Sequence, residues 1–185
     1  MKTPRPALFL DRDGVINVDS GYIYRKEDFI FVDGIFELVA AAKNAGFLCI
    51  IVTNQAGIGR GMYSEAQFHE LMDWVSAQFM EHGGQIDATY FCPNHPEHGL
   101  GKYKKRCYFR KPRPGMILQA TADLGIDLAR SLIVGDKVSD IEAGFHAGVP
   151  VRILFGCREP TCVPHHAVNN LSEVLAFMDA ARAGP

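Results

Sequence analysis

Short apolar runs alternate along the chain with stretches in which apolar residues recur every three or four positions. Residues 7–10, 47–52, 87–91, 131–134 and 151–155 read as five strands. The second of these, FLCIIV, is continuously apolar, as a strand buried on both faces must be. Residues 34–44 carry the helical spacing and stop before Gly46, a C-terminal helix signal. Ser64 with Gln67 three residues on resembles a capping box and opens a helix reaching about residue 81. Residues 114–124 begin with Pro and are followed by Gly125, and 138–147 and 171–182 complete the helical set.

Strands alternating with helices predict an α/β fold: a Rossmann-like parallel sheet with helices on both faces. Ligands of such folds bind beyond the carboxyl ends of the strands. Asp11 and Asp13 follow the first strand, Thr53 and Asn54 end the second, and Asp136 follows the fourth. Two long irregular segments, 14–33 and 92–112, are expected to shape a site, because loops of that length are usually functional or disordered. The 185 residues fit one domain spanning 1–185. The last three residues are expected to fray.

Composition changes this picture little. Hydrophobic residues make up 48% and charged residues 22%, ordinary values for a globular chain. The net charge of -2 argues against a nucleic-acid partner, so affinity for anions must come from local basic residues. The beginning of the chain offers four consecutive apolar residues before a charge, too few for a signal peptide or a membrane span. The expectation is a cytoplasmic monomer without a membrane partner. Five unevenly spread cysteines (Cys49, Cys92, Cys107, Cys157, Cys162) argue against a disulfide framework and leave metal binding open.

The strongest chemical signal is Asp11-Arg12-Asp13-Gly14. In extended chain the two carboxylates point the same way. Their repulsion calls for a cation or a shared proton, and magnesium suits carboxylate and carbonyl oxygens. The bland alternative is a turn, which Asp-Gly favours. Thr53-Asn54-Gln55 could hold a phosphate oxygen through a hydroxyl and backbone N–H groups, or could simply end a strand. Residues 57–61 form a glycine-rich turn without the Lys-Ser/Thr of a P-loop. Arg110-Lys111-Pro112 is either solvated surface or a phosphate-binding pair of cations. Gly135-Asp136-Lys137 with Asp140 supplies another acid at a strand end, and Gly135 would let the backbone approach a ligand.

Taken together, these four pieces resemble the motifs of the haloacid dehalogenase superfamily, in order, spacing and strand-end placement over residues 7–150. Finer matches, Asp-Arg-Asp-Gly-Val-Ile-Asn and Arg-Lys-Pro-x-Pro-Gly-Met among them, are similar to its heptose-bisphosphate phosphatases, with the histidinol-phosphate phosphatases as neighbours. The resemblance implies a magnesium-dependent phosphatase acting on a small sugar bisphosphate in the supply of ADP-heptose for lipopolysaccharide core. Alternatives are histidinol phosphate or another sugar phosphate as substrate, or a non-catalytic phosphate-ligand binder on the same fold.

By the same resemblance Asp11 is the nucleophile and Asp13 the acid and base. Thr53 and Lys111 hold the phosphoryl group. Asp11, the Asp13 carbonyl and Asp136 hold magnesium, with Lys137 and Asp140 tuning that side. Asp19, Ser20, Gly21, Tyr22, Asn54, Gln55, Arg110 and Lys137 contact substrate, Arg110 at the phosphate that does not react. No segment is long enough for a large cap domain, so the site is expected to be open. The family's zinc loop, Cys-x-His and Cys-x-Cys, is altered here: Asn94 and Phe109 stand at two ligand positions. Cys92, His95, His98 and Cys107 are the substitute set, with a packed loop as the alternative. Cys157 and Cys162 are expected to be free thiols.

Overall fold

The structure is a computed structural model and describes residues 3–156 and 161–183. Cys157, Gly184 and Pro185 lie outside the described residues. Six parallel strands form one sheet: β1 (Ala7–Leu10), β2 (Leu48–Asn54), β3 (Ala88–Cys92), β4 (Leu132–Gly135), β5 (Val151–Phe155) and β6 (His166–Val168). Their order is β3-β2-β1-β4-β5-β6. The chain therefore builds outward from β1 to one edge, then returns to β1's other side with β4. Strands diverging in this way leave a crevice at their carboxyl ends, between β1 and β4.

The continuous apolar runs are explained by two cores, one on each face. Leu8 and Leu10 of β1 pack into one core with Cys49, Ile51, Leu132 and Val134. Ala7 and Phe9 point into the other, with Ile50, Val52 and Ile133. The first face is covered by α1 (Ile35–Asn44), α3 (Glu65–Glu81) and α6 (Val174–Ala183), the second by α4 (Gly115–Leu124) and α5 (Val138–Ala147). Burying each large apolar side chain contributes about 1.5–3 kcal/mol. The capping box of α3 forms: Gln67 N–H donates to Ser64 Oγ at 3.1 Å, and Ser64 N–H to Gln67 Oε1 at 2.9 Å.

Two elements depart from the pattern. The glycine-rich turn contains a short helix, α2 (Ala56–Gly59). The predicted strand at the chain's carboxyl side is joined by β6, a short edge strand with two exposed residues. Loop 14–33 is fastened by Val15, Ile16, Ile23 and Phe29, all buried, and by Phe31, whose ring meets Trp74 at 5.7 Å and Phe36 at 4.6 Å. Loop 92–112 is fastened by Leu100 N–H donating to Gly59 O (2.7 Å) and Tyr103 Oη donating to Glu65 Oε1 (2.7 Å).

Candidate active site

Asp11 leaves β1 at the crevice and is buried. Its N–H donates to Val134 O of β4 at 3.0 Å, which fixes where the loop begins. Oδ1 accepts from Arg12 N–H (2.7 Å) and from Lys111 Nζ (2.9 Å). Oδ2 has no hydrogen-bond donor among the described residues. Burial pushes the Asp11 carboxyl above its ordinary value, against the pull of Lys111.

Lys111 arrives from the far end of loop 92–112. Asn54 clamps it at the backbone: Lys111 N–H donates to Asn54 Oδ1 (3.1 Å), and Asn54 Nδ2 to Lys111 O (3.2 Å). Its buried ammonium has three acceptors, namely Asp11 Oδ1, Asp140 Oδ1 at 2.6 Å and Val52 O at 2.8 Å. Burial opposes that charge, but the two carboxylates outweigh it and raise the Lys111 pKa. The carbonyl and the two carboxylates fix this buried positive charge beside the Asp11 carboxylate.

Asp140 is thus a partner of Lys111, and its Oδ2 also accepts from Lys137 N–H at 3.0 Å at the start of α5. Gly135 was expected to make room for a ligand; it makes room for Asp140, whose Cβ would lie 2.1 Å from a Cβ at position 135. Gly14, at φ +91, performs the matching service for Asp136, whose Oδ2 would sit 2.3 Å from an added Cβ.

Asp11, Asp136 and Asp140 bring one carboxylate oxygen each to within 4.8 Å of one another. Asp136 Oδ1 is buried and has no hydrogen-bond partner. Burial, then the Asp11 charge, push the Asp136 carboxyl up to about 7. Three acids gathered here, with Lys111 paired to two of them, Lys137 Nζ 3.7 Å from Asp136 Oδ2 and a buried oxygen unmatched, suit a small oxygen-seeking cation.

A cleft of about 260 Å³ opens beside these groups, lined by Asp13, Asp19, Gly21, Tyr22, Asn54, Gln55, Tyr63 and Lys137 among others. Seven of the expected residues therefore share one cavity. Lys137 Nζ donates to Asp19 Oδ2 at 3.0 Å and tethers the loop across the cleft. Partial burial works against the Asp19 carboxylate, but Lys137 outweighs it and holds Asp19 below its ordinary value. Thr53 is buried, and its Oγ1 accepts from Gln55 Nε2 (2.9 Å), leaving the hydroxyl proton free to donate. Ser20 is exposed and lines no part of this cleft.

Arg110 borders a neighbouring cleft of about 310 Å³ with Lys111, Arg106 and Arg113. Its Nη1 donates to Asn94 O at 3.2 Å. Sequence reasoning passed over Arg60, a member of the glycine-rich turn, whose guanidinium lies over the Tyr22 ring at 5.6 Å. Neither Arg60 nor Arg110 has a carboxylate partner among the described residues. It also passed over Tyr63, whose hydroxyl donates to Gln55 Oε1. A Tyr eight residues beyond the motif carries no local signal of that role.

The substitute zinc set is not assembled. Among the described residues, Cys92, His95, His98 and Cys107 do not bring three ligand atoms within 4.8 Å. His95 Nδ1 accepts from the N–H groups of Glu97 (3.2 Å) and His98 (3.0 Å). Burial pushes the Cys92 thiol up to about 11, and Cys107 beside it adds to the shift. Cys162 is a free thiol.

A family model described as HAD-hydrolase-like matches residues 108–154, the segment carrying Lys111, Asp136 and Asp140. The chain is 55% identical over 175 residues to a D-glycero-alpha-D-manno-heptose-1,7-bisphosphate 7-phosphatase of Burkholderia mallei, covering 93% of each. It is 49% identical over 156 residues to the beta counterpart of Vibrio cholerae, covering 84% of each. The solved D,D-heptose 1,7-bisphosphate phosphatase of B. bronchiseptica, complexed with magnesium and phosphate, superposes with a TM-score of 0.78 at 28% identity, over 95% of this chain and 98% of that one. Similarity this high, along nearly the whole chain, means that the chain belongs to the heptose-1,7-bisphosphate 7-phosphatase family of haloacid dehalogenase-like hydrolases.

Proposed function

We propose that this protein removes the 7-phosphate of D-glycero-D-manno-heptose 1,7-bisphosphate through an aspartyl-phosphate on Asp11. The observation that carries the chemistry is the buried Asp11 with one oxygen held by Lys111 and the other unengaged. The relatives' names carry the substrate.

Asp11 Oδ2 attacks phosphorus as the bond to the sugar oxygen breaks, which divides an extremely slow hydrolysis into two easier transfers. Asp13 gives the departing oxygen a proton and later takes one from the water that cleaves the intermediate. Lys111 and the Thr53 hydroxyl hold the phosphoryl oxygens where charge develops. The carboxylates of Asp11 and Asp136 and the Asp13 carbonyl would hold magnesium, which would supply neutralisation of phosphoryl charge beside the nucleophile. Asp19, Tyr22, Gln55 and Lys137 line the cleft that takes the sugar.

Arg110 grips the phosphate that stays. A hydrogen bond to a charged group is worth about 1.5–3 kcal/mol, roughly ten- to a hundredfold in discrimination. Arg110→Ala should lower kcat/KM for the heptose bisphosphate by that factor and barely affect p-nitrophenyl phosphate. Equal losses on both would remove Arg110 from the distal phosphate. The substrate itself is tested by comparing both heptose 1,7-bisphosphate anomers with histidinol phosphate and fructose bisphosphate. Preference for either of the latter two overturns the assignment.

The metal reading predicts a particular pH dependence. In the metal-free fold Asp136 is raised from 3.8 to about 7. Its protonated form contributes stability that is full below pH 3.8 and is lost as pH rises through about 7. Magnesium needs the carboxylate, so the Tm increase it gives should be small near pH 5 and large at pH 8. Activity should vanish in EDTA and return with magnesium. A Tm increase independent of pH would exclude Asp136 as a ligand.

A further inference from the structure

Arg12 belongs to no part of the chemistry so far, yet among the described residues it is the largest fully buried side chain. Burying a guanidinium is costly unless its donors are matched, and apolar residues would fill the same space at lower cost. Here three hydrogen bonds from Nε and Nη2 run to two acceptors, while Nη1 is buried without a partner. Nε donates to Asp13 Oδ1 at 3.0 Å, and Nη2 donates to the same oxygen at 2.5 Å. Nη2 also donates to Ile23 O at 2.9 Å. Phe68 lies under the guanidinium at 5.9 Å.

We infer that Arg12 is the positioning residue for the Asp13 carboxyl, and that it ties this carboxyl to the loop lining the sugar cleft. The inference rests on Asp13 acting as acid and base in the function proposed above.

The hydrogen bonds divide the two oxygens of Asp13 unequally. Oδ1 accepts three, two from Arg12 and one from Asn17 Nδ2 at 3.2 Å. Oδ2 accepts one, from Gln55 Nε2 at 2.9 Å. Oδ1 is saturated, so Oδ2 is the oxygen left to exchange a proton with substrate or water. In the first transfer the Asp11–phosphorus bond forms and the phosphorus–sugar oxygen bond breaks. The electron pair stays on the sugar oxygen, and the Asp13 Oδ2 proton moves to it. A carboxyl free to turn about its last torsion would offer either oxygen in many directions, so holding Oδ1 fixes Oδ2.

The bond to Ile23 O extends the same grip to the loop. Ile23 follows Tyr22, which stands at φ 47, a conformation that a residue with a Cβ adopts only when its surroundings impose it. Tyr22 lines the cleft together with Asp13. One guanidinium therefore sets both the acid and the wall against which the leaving sugar rests. A lysine offers charge but no fork, and cannot reach both acceptors with fixed geometry.

Leaving-group dependence tests this directly. The value of kcat/KM reports steps up to phosphorylation of Asp11. A sugar alkoxide leaves poorly and needs the Asp13 proton; 2,4-dinitrophenolate does not. Arg12→Gln should lose about 10²-fold or more on the heptose bisphosphate, the range of general acid catalysis, and less than about tenfold on 2,4-dinitrophenyl phosphate. Arg12→Lys, which keeps the charge above Phe68, should show the same split at smaller size and carries the test if the Gln variant does not fold. Asp13→Asn is the reference. If Asp13→Asn fails to separate the two substrates, the acid role of Asp13 is wrong. If it separates them while Arg12→Lys lowers both equally or neither, the positioning role of Arg12 is wrong.

Discussion

Asp11→Asn is expected to abolish turnover, to below about 10⁻⁴ of the parent rate, the scale on which loss of an attacking group acts. The fold should survive, and the variant should melt no lower than the parent. Burial pushes Asp11 above its ordinary value, so its charge is carried at a cost to stability. Asparagine keeps an oxygen to accept the Arg12 N–H now found at 2.7 Å. Lys111 is not orphaned by the change, because Asp140 Oδ1 at 2.6 Å and Val52 O at 2.8 Å remain. Phosphate release assays with calorimetry on the same sample check both halves. Activity above about one hundredth of the parent would rule out a covalent intermediate on Asp11.

Lys111→Met should damage both stability and rate. The substitution keeps the length of the side chain but leaves Asp11 and Asp140 buried together without a counter-charge. Breaking a buried pair in this way costs about 3–5 kcal/mol. The rate should fall by roughly 10²–10³, the cost of losing one donor to a developing oxyanion. The stability loss should depend on pH with a definite sign. Asp11 already lies above 3.8 in the fold, and removal of the ammonium raises it further. The protonated form then contributes stability that is complete below pH 3.8 and fades as pH rises. The deficit against the parent should accordingly be smallest near pH 4 and grow toward neutrality. Denaturant melts at several pH values give the comparison. A deficit that does not vary with pH would mean that Lys111 contributes only packing.

Much of this was legible in the chain because the chemistry sits at ends of buried strands. A parallel sheet covered on both faces needs uninterrupted apolar runs, so residues 7–10 and 47–52 announced both the strands and the points where they stop. Asp11 and Asp13 follow the first of these stops and Thr53 the second, as Asp136 follows residues 131–134, and the local order of the sequence placed them. Ser64 and Gln67 marked a helix start because a capping box is made within four residues. The edge strand His166–Val168 escaped because three residues with two exposed form no pattern. Helix Ala56–Gly59 escaped because two of its four residues are glycine, which disfavours a helix. Its glycines answer to distant groups: a Cβ at Gly57 would lie 2.3 Å from the Tyr63 ring, and one at Gly59 would lie 2.3 Å from Pro93 O.

What only the tertiary structure decided is who partners whom. Asp140 read as an acid near the metal, and folding keeps it beside Asp11 and Asp136 while also pairing it with Lys111, 29 positions away in the chain. Arg12 stands between two aspartates in the chain with no role legible there, and folding buried it and aimed it at Asp13 and Ile23. Arg60 read as part of a flexible turn, and folding laid it over Tyr22. Local periodicity and turn chemistry depend on neighbours within a few residues, so the chain states them openly. Pairing of buried charges depends on which segments the sheet order brings to one crevice, and the satisfaction of each donor there is fixed only when β1, β2 and β4 close around it.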